Sequence, residues 1–236
     1  MIQTGYLLLT LGMAGIVIYA YYQLLIKSGK QQRFATNKTM IVLGVFLLFL
    51  LYNAILGKTN FVANLSLPPR LFVFVILPSF LLIFLIIKRA YHSSLLPLLS
   101  PQKLTVIQSY RLAIELLFIG SVNAGLLNKE VTFEGYNFDL LFSISSILIY
   151  LLAYQYKVVS EKIVLYWNYL GLIVITSILF LFTTSIYFPL FWGSEIPLMP
   201  SGFADFYFLL VPSLLMPLAV FIHILSIVYF KKVRQF

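Results

Sequence analysis

The chain has 236 residues, 61% of them hydrophobic and only 10% charged, with a mean hydropathy of +1.00. Soluble domains run at about 45–50% apolar and about 25% charged, so a water-soluble globule is excluded and an all-α integral membrane protein is indicated. The absence of cysteine excludes disulfide frameworks and thiolate chemistry, and the net charge of +9 sits at the ends of apolar stretches without an aromatic-rich basic groove, which argues against nucleic acid as a partner.

The first apolar stretch covers about 5–26. It is too long for a signal-peptide core, no basic residue precedes it and no small-residue cleavage site follows it, so it reads as a first membrane span. Further spans are predicted at about 39–57 and 71–87, the latter carrying Pro78. The stretch 104–127 is interrupted by Arg111 and Glu115. Three more follow at about 138–156, 163–187 and 207–230, the last with Pro212, Pro217 and His223. Prolines inside a span remove backbone hydrogen bonds and kink it. Tyr19, Tyr21, Tyr22, Tyr150, Tyr154 and Tyr156 near span ends, and Trp192 beyond the sixth, suit interfacial anchoring.

Charge decides whether 104–127 crosses. With seven spans, the gaps holding Lys27 to Lys38, Lys88 to Lys103 and Lys157 to Lys162 lie on one side with the tail Lys231–Arg234. That side carries twelve Lys and Arg against three (Lys58, Arg70, Lys129) on the other. With six spans the split is nine against seven. Basic residues concentrate on the cytoplasmic face, so a single domain of seven transmembrane helices is predicted, with the N-terminus outside and the C-terminus cytoplasmic.

Ionisable groups within a span cost about 2.5–3.5 kcal/mol on insertion scales and commonly face a functional interior. Arg111 and Glu115 are four apart, hence on one helix face, where they can pair. At 1.5 Å per residue Arg111 lies about 10 Å from the inner end, Glu115 about 16 Å, Asn168 about 8 Å and His223 about 10 Å. These four form a candidate ligand-binding cluster in the inner half. The plainer role for each is a hydrogen bond between helices. A second group, Glu134, Asn137 and Asp139, precedes the fifth span and suits either an outer binding mouth, with Asn53, Asn123 and Asn128 near it, or the cap of that helix.

The segments Arg111-Leu-Ala-Ile-Glu115, Thr132-Phe-Glu-Gly-Tyr-Asn-Phe-Asp139, Trp167-Asn-Tyr-Leu-Gly171 and Phe221-Ile-His223 resemble a family of uncharacterised multi-pass bacterial membrane proteins. The resemblance covers roughly 104–230, and Tyr136 departs from the basic residue expected there. It implies a seven-helix protein of the bacterial inner membrane and supports the choice of residues, without supplying an activity. Seven helices also occur in retinal proteins, but the last span has no lysine for a Schiff base. No cofactor is therefore expected, and with only His92 and His223 and no paired-histidine spacing, no metal site either. Besides the bilayer, the expected partner is a small molecule or ion bound or transported at the polar cluster. A structural subunit of a membrane complex ranks second and an intramembrane enzyme third. Nothing in the sequence sets the oligomeric state.

Overall fold

The computed structural model describes residues 2–199 and 201–236, without the side chains of Ser201 and Phe203. The chain forms helices joined by links that range from a tight turn to the long segments 124–138 and 188–205, with no strand among the described residues. Among the described residues seven apolar helices follow in order: α1 Ile2–Lys27, α2 Gln32–Lys58, α3 Phe72–Tyr91, α4 Pro101–Asn123, α5 Asp139–Gln155, α6 Glu161–Tyr187 and α7 Phe206–Arg234. Six are long and apolar enough to cross a membrane. The charged stretch 104–127 is one of them, as the 23-residue α4. The short helix is α5, whose apolar pattern by itself looked complete.

Contacts between helix ends give the running directions. Gln3 at the start of α1 bonds Asp205, just before α7, at 3.0 Å. The end of α2 meets the start of α7 so closely that a Cβ on Gly57 would stand 2.6 Å from the Phe206 nitrogen. Gly120, near the end of α4, packs on Ile2. At the opposite end, Lys232 of α7 donates to the carbonyl of Tyr91 at the end of α3, and Arg234 pairs with Glu161 at the start of α6 at 3.1 Å. Hence α1, α3 and α7 run one way and α2, α4 and α6 the other, as short connections between antiparallel neighbours require.

The most buried helix is α7, and α1 and α2 are the most exposed. α7 packs against α3, α4 and α6 along its length and against α1 and α2 at its start, while α5 lies outside it against α4 and α6. In the middle of α1 and α2 the large exposed side chains are mostly Leu, Ile, Val and Met, such as Leu8, Leu11, Ile16, Met40, Ile41, Leu48 and Leu51, as expected of surfaces that meet hydrocarbon.

Two irregular turns shape the contact between α4 and α7. α4 tightens to a 3₁₀ turn at Ile107–Tyr110, and α7 widens to a π turn at Val211–Leu215, around Pro212. Gln108 donates to the Ala219 carbonyl at 3.1 Å, and the Tyr110 hydroxyl donates to that of Leu215. Both bonds tie side chains of α4 to main-chain carbonyls of the proline-containing stretch of α7.

The link from α4 to α5 sets up the site. α4 ends in a Schellman turn: Gly125, at φ +69°, donates to Val122, and Leu126 donates to Ser121 at 2.8 Å. The chain then turns inward, burying Val131, Thr132 and Asn137. Tyr136 donates its backbone N–H to Glu130, Asn137 donates to Thr132, and the Gly135 α-carbon lies against the Glu130 carbonyl, where a Cβ would collide. Asn137 bonds Glu115, which is eight residues before the end of α4, or about 12 Å along its axis. α5 therefore starts inside the bundle. Its 17 residues span about 26 Å, short of the roughly 30 Å hydrocarbon core.

Candidate functional site

α4, α5, α6 and α7 each deliver polar side chains to one buried cluster. Arg111 of α4 is 1% exposed. Its Nε and Nη2 both donate to the Asp139 carboxylate in the first turn of α5, the Nε contact at 3.0 Å. Such two-pronged pairing is the strongest geometry available to these groups. The guanidinium also lies over the Phe142 ring, 5.0 Å from its centroid. Phe142 stacks on Trp167 of α6 at 4.8 Å and 11°. Trp167 in turn donates its indole N–H to Ser145 at 2.8 Å.

The third nitrogen of Arg111 faces His223 Nε2 at 3.3 Å. Arginine can only donate, so this histidine nitrogen accepts and the proton sits on Nδ1. Nδ1 lies 2.9 Å from Asn168 Oδ1 and donates to it. The Asn168 amide then donates to the Val164 carbonyl at 2.7 Å. One directional chain of donors thus runs from α4 through α7 into α6. The imidazole edge packs on Phe142 and Trp167. Gly171 leaves room for it, since a Cβ there would collide with the ring.

Glu115 belongs to a second strand of the same cluster. Its Oε1 accepts from Asn137 Nδ2 at 3.1 Å, and Asn137 Oδ1 accepts the backbone N–H of Asp139 at 2.9 Å. Glu115 Oε2 is buried with no hydrogen-bond partner. The Arg111 guanidinium turns toward Asp139, so the pairing expected between Arg111 and Glu115 on one helix face is replaced by pairing across helices. The ion pairs among the described residues are Arg111–Asp139 and Arg234–Glu161.

The two groups separated by sequence meet here. Asn137 and Asp139 are buried beside Arg111 and Glu115 rather than forming a mouth at the surface, and Asn137 also caps the first N–H of α5. Glu134 stays exposed in the loop. Asn53 is buried elsewhere, on α2, donating to Phe49 at 2.8 Å, and Asn123 is exposed. Gln108 joins the buried polar set, its Oε1 unpartnered. Its spacing of three from Arg111 put it on the same face of α4 and was the available signal. The aromatic support from Phe142 had no sequence signal. No three His, Asp or Glu side chains gather in metal-binding proximity among the described residues.

Beside the cluster is a cavity of about 90 Å³. Arg111, Glu115 and Asp139 supply its charged lining, and Ile114, Phe118, Ile175 and Leu215 are among its apolar walls. Some lining residues are half-exposed: Ile178, Phe182 and Thr183 on α6, and Val211, Pro212 and Met216 on α7. The cavity is thus partly open, with its half-exposed lining on α6 and on α7 beside the π turn. No family model, curated protein or solved structure matches the chain. Fold and site together define a multi-pass helical membrane protein with a polar cluster buried beside an apolar cavity.

Proposed function

We propose that the protein is a seven-span component of the bacterial inner membrane that binds or transports a small molecule or ion at the Arg111, Glu115, Asp139, His223 cluster. In this reading the N-terminus is outside and the C-terminus cytoplasmic. The twelve-to-three division of basic residues and the alternating helix directions support it. α5 counts as a span because the buried Asn137 segment ahead of it makes up its missing length.

The observation that carries the binding role is the buried, unpartnered Oε2 of Glu115, a residue that lines the cavity. Other buried polar atoms among the described residues also lack partners, Gln108 Oε1 and Asn53 Oδ1 among them, but Glu115 is the residue of that set that lines the cavity. Leaving a buried acceptor unmade costs about 1–3 kcal/mol, more if it is charged, and a ligand in the cavity recovers that energy.

The test is thermal unfolding of the purified protein in lipid nanodiscs against a broad panel of ions and small amphiphiles, followed by flux measurements in liposomes. A ligand that binds the folded state raises the melting temperature. At least one compound is expected to do so in the wild type and to lose the effect in Glu115→Gln and Arg111→Ala. Equal shifts in all three proteins would refute the reading.

A further inference from the structure

The hydrogen-bonding capacity left open in the cavity narrows the class of ligand, on the footing of the binding role proposed above. Each guanidinium nitrogen of Arg111 makes one bond, two to Asp139 and one to His223, which uses three of its five N–H groups. The Arg111 and Asp139 charges cancel each other within one pair. Asn137 uses its amide N–H on Glu115 and its oxygen on α5. Of the buried side-chain polar atoms without a partner among the described residues, the one on a cavity-lining residue is an acceptor, Glu115 Oε2.

An anion would meet this carboxyl group and an arginine whose charge is already neutralised. A cationic donor meets an acceptor with no partner and supplies the charge that balances an ionised Glu115. Arginine–carboxylate pairing elsewhere in the cluster leaves that position for one cation. Apart from Arg111, Asp139 and Thr183 the rest of the lining is apolar, and its half-exposed residues lie on α6 and α7, two helices that meet the bilayer in the reading above. The volume of about 90 Å³ suits a small head and short hydrocarbon body, with any longer tail left between the two helices.

We infer that the cavity receives a small lipophilic amine, which enters from the bilayer between α6 and α7 and sets its ammonium group on Glu115 Oε2. The exchange is balanced: an ammonium entering against a protonated Glu115 displaces one proton, and one entering against an ionised Glu115 displaces none.

The experiment compares n-hexylamine, hexanoate and n-hexanol by thermal shift and calorimetry in phosphatidylcholine nanodiscs. It uses the wild type, Glu115→Gln and Thr183→Trp. Thr183→Trp obstructs the mouth at a half-exposed position, leaves Glu115 in place, and keeps the test open should Glu115→Gln fail to fold. Hexylamine is expected to bind the wild type, and its affinity to fall by about tenfold to a hundredfold in Glu115→Gln, the range for one charge-assisted hydrogen bond. Binding is expected to weaken in Thr183→Trp as well. Hexanoate or hexanol binding as tightly as the amine, with the same sensitivity to both variants, would overturn the amine class and leave the binding site standing. Hexylamine binding that ignores both variants, or no binding by any of the three compounds, would overturn the inference. The broader panel described above would then decide the binding role itself.

Discussion

Arg111 in the middle of α4 and Asp139 at the first turn of α5 form a two-pronged ion pair, 28 residues apart in sequence and buried from solvent. The pair holds the inward-turned segment 124–138 against the bundle. It also neutralises two charges that would each be costly in an apolar interior.

Breaking that pair on one side leaves an uncompensated buried charge. Arg111→Ala and Asp139→Asn are each expected to destabilise the protein by about 3–5 kcal/mol. Replacing both at once, as Arg111→Met with Asp139→Asn, removes the stranded charge and is expected to cost less than the sum of the single changes. Chemical or thermal unfolding of the four proteins in one detergent checks this.

Glu115→Gln keeps the acceptor that Asn137 uses and removes a carboxyl oxygen with no partner. Stability is expected to stay within about 1 kcal/mol of the wild type. A loss of several kcal/mol in the same unfolding measurement would mean that the native cluster depends on a charged Glu115.

Gly171→Ala puts a methyl group into the His223 imidazole. Overpacking of this kind is expected to cost about 1–3 kcal/mol. Combining it with His223→Ala is expected to relieve the clash, so the two changes should be non-additive in a double-mutant cycle. Additive losses would place the strain elsewhere.

Since the chain has no cysteine, single-cysteine labelling reads its topology directly. Lys30→Cys, between α1 and α2, is expected to react with an impermeant maleimide only after the membrane is opened. Glu195→Cys, between α6 and α7, is expected to react in intact cells. The opposite pattern would reverse the orientation.

The helical class and the membrane character follow from composition, and the charge count gave reason to treat 104–127 as a helix in its own right. Arg111, Asn168 and His223 could be set at similar depths because each lies in a regular helix with a constant rise. Asp139 could not be joined to them. Its depth was counted from the start of an apolar run, as though α5 began at the membrane surface. The descent of 124–138 depends on the Schellman turn at Gly125, the close packing of Gly135 on Glu130, and the partners waiting on α4. None of these is a periodic signal. The π turn of α7 was legible only as a proline, since apolar periodicity does not register one widened turn.

The short α5 bears on how the protein is assembled. Its polar leading segment has no reason to enter hydrocarbon alone, because Asn137 and Asp139 find partners only on α4. The polar segment is therefore expected to seat only once α4 is in place to receive it, as a plug entering the bundle from one side. In Arg111→Ala the plug loses its principal hold, so limited proteolysis is expected to cut within 124–138 in the variant while sparing the wild type.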